Sequence, residues 1–298
     1  MATALQTHFS PALRLRAVLA DDGSASAACA RHLMASLAWP PDTSVECVAA
    51  VDDPSGHFGA GPVPLALERL LAAGADELRS VNLTVQTSVL RGFPGAAIVA
   101  AAGHIHADLV VVGSRRRDAY LSAGLGLVSQ FAAERAPSHV LIARRGTASR
   151  VLVGHDGSEG SRAAIEIAAT WPLFEQLPIH LVSVVEVPEQ LRHLPFTKDL
   201  MALMPGTADA LQAQRVRQQT WLSEARVVLE KAGRTVTSET RVGHTTQELL
   251  MAADALDSDL LVIGTRRPHH PVGALGPVAN DLLAHTNASV LLVRPGPR

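Results

Sequence analysis

A chain of 298 residues with 47% hydrophobic and 18% charged content holds enough apolar material for two ordinary cores, and its composition is not that of a disordered protein. Formal net charge is −2, which gives no global attraction to nucleic acid or to acidic membranes. Two cysteines, Cys29 and Cys47, exclude a repeated disulfide framework and suit a reduced cytosol. Residues 1–11 lack the basic start and apolar run of a secretory signal, and Asp, His, Arg or Pro interrupts every apolar stretch before membrane-spanning length. The expectation is a cytoplasmic protein without membrane contact.

In chain order, short Val-, Leu- and Ile-rich runs without polar alternation predict strands over 15–20, 45–51, 83–90, 109–112 and 140–143. Helical stretches separate them at 25–38, 65–81, 96–106 and 127–135. This βαβαβαβαβ order implies right-handed crossovers and helices on both faces of a parallel sheet. Six residues, 145–150, then reach at most roughly 20 Å, and the pattern starts again. Strands are predicted over 151–154, 179–185, 235–242, 260–263 and 290–293, with a polar helical run over 208–232. The second copy is longer because of 187–206, which holds Pro188, Pro195, Phe196 and Pro205 and reads as a surface excursion.

The duplication is explicit in the residues. Val18-Leu19-Ala20-Asp21-Asp22-Gly23-Ser24 recurs as Leu152-Val153-Gly154-His155-Asp156-Gly157-Ser158. Ala107-Asp108-Leu109-Val110-Val111-Val112-Gly113-Ser114-Arg115-Arg116 recurs as Ser258-Asp259-Leu260-Leu261-Val262-Ile263-Gly264-Thr265-Arg266-Arg267. The domains are placed at 12–146 and 149–295. Each copy ends in an apolar strand, and an uncovered apolar edge invites pairing with its like, so an internal pseudo-dimer is expected.

Ligands of doubly wound sheets bind beyond the carboxyl ends of strands, where crossover direction switches. Two features converge there. The turns Asp22-Gly23-Ser24 and Asp156-Gly157-Ser158 follow the first strand of each copy, and helix capping by Asp or Ser accounts for them equally well. The stretches after the fourth strand combine Gly113 or Gly264, arginines and a following helix start, an arrangement suited to an anion; a solvated basic loop is the alternative. Neither Gly-x-Gly-x-x-Gly nor a Walker lysine motif is present, which removes the main warrant for dehydrogenase and P-loop hydrolase readings.

These landmarks in fixed order resemble the universal stress protein family over nearly the whole chain, as two domains in tandem. The resemblance implies an α/β fold of two five-stranded parallel-sheet domains of the adenine-nucleotide-binding, Rossmann-like type. It also implies ATP as the candidate cofactor. By that resemblance Asp22 and Asp156 face the ribose, Ala50 and Val184 lie on the adenine side, and a Gly-x-x-Gly, nine residues, Gly-Ser/Thr loop holds phosphates. In the first copy Gly113 stands, Arg115 adds charge, Arg116 replaces the second glycine, and Gly126, Val128 and Ser129 follow, with Leu127 where Ser or Thr is usual. In the second copy Gly264 stands, Arg267 replaces the second glycine, and Gly276 comes one residue early before Pro277 and Val278.

Arginine lacks the positive-φ freedom of glycine, and Pro277 removes an amide donor, so weak adenine-nucleotide binding is expected, mainly in the first domain. The alternative is an interaction or scaffold protein with decayed pockets and a protein partner. His104, His106, His155, His269 and His270 lack ligand spacing for a metal, and Ser24 and Ser158 have no identifiable base. No enzymatic activity is expected. With one Tyr, three Trp and six Phe, a stacking surface for nucleic acid is not expected either. Trp39 and Trp171, each before a proline, read as core or hinge packing.

Overall fold

The computed structural model describes residues 13–51, 65–114, 125–187, 207–265 and 275–296. In the first half, strands β1 (Arg16–Ala20), β2 (Ser44–Val51), β3 (Thr84–Arg91), β4 (Leu109–Gly113) and β5 (His139–Ala143) alternate with helices α1 (Ala25–Ser36), α2 (Leu65–Arg79), α3 (Pro94–His104) and α4 (Leu127–Arg135). The second half repeats this with β6 (Val151–Gly154), α5 (Glu159–Thr170), β7 (Ile179–Glu186), α6 (Thr207–Lys231), β8 (Val236–Gly243), α7 (Thr245–Ala255), β9 (Leu260–Gly264), α8 (Pro277–His285) and β10 (Ser289–Val293). Predicted bounds move by no more than two residues. For example, α3 begins at Pro94 and not at Ala96, because proline's fixed φ suits a first helical turn that needs no donor.

All strands join one ten-stranded sheet in the order β3-β2-β1-β4-β5-β10-β9-β6-β7-β8. The order is the same read from either end, as a two-fold arrangement requires. Pairing within each half is parallel, and β5 meets β10 antiparallel, with Leu141 opposite Leu291. Successive strand residues face opposite sides, so each strand feeds two cores. Leu19, Val111, Val153 and Val262 pack on one side with α1, α2, α5 and α6, while Val18, Val110, Leu152 and Leu261 pack on the other with α3, α4, α7 and α8.

The junction is reinforced by side chains that cross it. Arg294 donates from Nε to the Ser138 carbonyl at 2.9 Å and from Nη2 to the Ala133 carbonyl at 2.7 Å, near the C-terminal end of α4. Arg144 does the reciprocal, its guanidinium binding the carbonyls of Leu283 and Thr286 at the end of α8. Each cation therefore sits at the negative end of a helix in the opposite half. Trp171, buried after α5, meets His139 of β5 edge-on with ring centres 5.4 Å apart. The 145–150 connection is anchored by the Asp259 carboxylate, which accepts from the backbone amides of Ser149 and Arg150 at 2.9 and 3.0 Å. Among the described residues, no helix is long and apolar enough to cross a membrane.

Candidate functional site

Within each half the chain runs outward from the first strand to the second and third, then crosses back to the fourth. The switch falls between β1 and β4 in one half and between β6 and β9 in the other. In the second half the carboxyl ends of β6, β7 and β9 open into a cavity of about 810 Å³, within the usual range of roughly 300–1,000 Å³ for small-molecule sites.

The floor is the turn between β6 and α5. Gly157 has φ +74°, left-handed backbone that suits glycine, and a Cβ there would lie 2.5 Å from the Trp221 indole ring. Asp156 Oδ1 accepts from the Ser158 amide at 3.0 Å, and Ser158 Oγ accepts from the Ser161 amide at 3.2 Å, capping α5. Burial works against ionisation of Asp156, but the bonds from Ser158 and Ser161 and the neighbouring His155 outweigh it and hold the carboxyl below its usual range. Asp156 therefore carries an exposed, ionised acceptor at the cavity edge. Burial lowers the pKa of His155, against the pull of the neighbouring Asp156.

Of the positions assigned from sequence, Asp156, Val184, Gly264, Gly276 and Val278 all line this cavity. Gly276 caps α8 with no side-chain hydrogen bond, and Pro277 at the first position leaves the next amides as the helix's donors. Gly264 has a second, structural reason to be glycine: its Cβ would fall 2.0 Å from the Gly160 backbone, where β9 passes the start of α5. Arg267 lies outside the described residues.

The first half places its counterparts differently. Asp22 Oδ1 accepts from the Ser24 amide at 3.0 Å, and Ser24 caps α1 through the Ala27 amide at 3.3 Å, so capping operates in both copies. Ala50 is half-buried on β2, in register with Leu90. Gly113 is demanded by close approach, since a Cβ would lie 2.2 Å from the Ser26 carbonyl oxygen. Gly126 caps α4 without a side-chain bond, and Val128 is half-buried in the first turn. Ser129 is buried, its hydroxyl donating to the Gly126 carbonyl at 3.1 Å. Arg115 and Arg116 lie outside the described residues.

A further difference separates the halves. Asp21, buried, pairs with Arg31 at 2.6 Å, and Arg31 also reaches Glu77 at 3.2 Å. The matching positions in the second half are His155, Ile165 and Val228. Sequence reasoning missed Gln218, Trp221 and His244, which join the cavity wall. A signal for Gln218 existed: it shares one face of α6 with the buried Leu211, Leu222, Ala225 and Leu229.

A doubly wound α/β unit with its cleft at the switch point, duplicated and joined edge to edge, is the class this architecture defines. The universal stress protein family model matches residues 15–144 and 147–294, and the chain belongs to that family. Among solved structures, a universal stress protein from Archaeoglobus fulgidus DSM 4304 is 17% identical with TM-score 0.67, covering 94% of this chain and 98% of that one. A putative universal stress protein from Pseudomonas aeruginosa UCBPP-PA14, also 17% identical, has TM-score 0.64 and covers 94% and 93%. At these identities the likeness is one of fold. A universal stress protein solved in complex with cAMP is 25% identical over 43% of this chain and 95% of its own, with TM-score 0.35. No curated protein matches the sequence.

Proposed function

We propose that this chain is a non-catalytic stress-response module that binds an adenine nucleotide, ATP first among them, in the cavity of its second half. The observation that carries this reading is the cavity itself, about 810 Å³, in which an ionised Asp156, the Val184 strand end and the uncapped amide end of α8 converge. The Asp156 carboxylate suits ribose hydroxyls, Val184 offers an apolar wall to a base, and the α8 amides and dipole favour phosphate. Retained motif residues alone rank the first half ahead. The weight moves to the second because the cavity described above lies there, and because Ser129 of the first half is buried and engaged with Gly126.

The test is mass spectrometry of small molecules released from freshly purified chain, followed by calorimetric titration of ATP into the wild type, Asp156→Ala and Asp22→Ala. Asp156→Ala is expected to weaken binding about tenfold or more, the usual effect of removing a charged hydrogen-bonding partner, with Asp22→Ala near wild type. Binding that depends on Asp22 alone counts against the second-half assignment. No nucleotide binding at all favours the interaction-protein reading.

A further inference from the structure

Three residues that line the cavity of the second half each carry a buried polar atom that the protein leaves unsatisfied. Gln218 Oε1, His155 Nδ1 and His244 Nδ1 are buried and make no hydrogen bond among the described residues, and all three side chains line the cavity. Buried polar groups are almost always paired, so three orphans around one space point to a ligand that pairs them.

Gln218 is the most informative of the three. It is 4% exposed, and its Nε2 donates to the Val184 carbonyl at 2.6 Å. A carbonyl only accepts, so the amide cannot rotate by half a turn without losing that bond, and Oε1 is fixed as a pure acceptor. The fold does not demand glutamine here. Aligning Leu222 and Leu229 with Leu71 and Leu78 places Gln218 opposite Leu67 of α2, which packs against the apolar core. The first half also satisfies its buried Asp21 internally through Arg31, where the second half has His155, whose Nδ1 makes no hydrogen bond among the described residues.

We propose that Gln218 reads the amino-bearing edge of the ligand's base, its Oε1 accepting from the exocyclic amine of adenine. This rests on the nucleotide reading above and deepens it. The Val184 carbonyl at the adenine-side position is held by the glutamine amide, so the free acceptor beside it is Gln218 Oε1, and α6, the helix after the extra segment of this half, becomes the specificity element. A base carrying an oxo group at the same place would set two acceptors against each other.

The experiment titrates the intact chain with ATP and with ITP, in which the amine is replaced by oxo. Occupancy is read at the second half by hydrogen-exchange protection of residues 158–161. Wild type is expected to favour ATP by about tenfold or more, as befits one buried hydrogen bond. Gln218→Leu, which copies Leu67, is expected to bind the two within about twofold while melting as a folded protein. Equal ATP and ITP affinity in wild type overturns the role of Gln218 and leaves the nucleotide site standing. A preference for ATP that survives in Gln218→Leu also overturns it. Failure of both nucleotides to bind wild type overturns the nucleotide reading and this one together. The wild-type comparison needs no variant, so misfolding of Gln218→Leu cannot mask the result.

Discussion

Leu141 of β5 lies directly opposite Leu291 of β10, at the centre of the antiparallel contact that joins the two halves. Both are 2% exposed, and both belong to the core cluster that runs across the junction. Replacing either with Lys buries an ammonium against the other's side chain. We expect each substitution to cost about 3 kcal/mol or more, the range for a large core change compounded by an unpaired charge. Hydrogen exchange should show loss of protection in the opposite strand: β10 for Leu141→Lys and β5 for Leu291→Lys. Full protection of the opposite strand in both variants would mean that another surface holds the halves together.

The guanidinium of Arg294 reaches two carbonyls of the opposite half, at Ser138 and Ala133. Arg294→Ala removes both bonds and strands the carbonyls at the end of α4. The expected loss is about 2–3 kcal/mol, and Arg294→Lys should recover less than half, since one ammonium does not match two divergent acceptors. Chemical denaturation of the three proteins checks this; full rescue by Lys would show that charge alone matters.

Acidification should weaken the same junction. Burial, with Arg294 acting in the same direction and Asp108 opposing, pushes His139 down to about 4 from 6.5. The unfolded chain therefore takes up a proton between those values that the folded chain refuses, and stability falls as pH drops from about 6.5 towards 4. The loss from this group is at most about 3 kcal/mol, because each pKa unit corresponds to about 1.4 kcal/mol. His139→Asn, which keeps an acceptor for the Arg294 amide now bound at 3.1 Å, should flatten the dependence of melting temperature on pH between 7 and 5. An unchanged slope in the variant would assign the acid sensitivity elsewhere.

Strand positions were legible in the sequence because both faces of this sheet are covered, so apolar runs such as Val110-Val111-Val112 carry no ambiguity. Pairing of the terminal strands followed from their shared pattern. The Arg294–Ala133 contact was not legible, because it depends on where the end of α4 lies after the halves dock. At the site, Asp156 and Gly276 were readable from the family pattern, whereas Gln218 sits in a largely polar run where only its helical spacing from Leu211, Leu222, Ala225 and Leu229 marks it as facing inward. Glycine counting also misdirected attention, since Gly113 and Gly264 are fixed by close backbone approach whatever they do for a ligand.

Gly264→Ala should therefore be destabilising independently of any nucleotide. Its Cβ would lie 2.0 Å from Gly160, and only movement of β9 or α5 relieves that. We expect a loss of about 1–3 kcal/mol, as for overpacking elsewhere. Thermal melts without nucleotide check it; wild-type stability would show that the strand end and the helix separate easily.

The most direct measurement of the central claim is hydrogen exchange of the intact chain with and without saturating ATP. The account predicts new protection in the second half, at the β6–α5 turn around Asp156, at the first turn of α8 and along α6 near Gln218, with the turn around Asp22 little changed. Protection confined to the β1–α1 turn and the first turn of α4, or no protection anywhere, would contradict it.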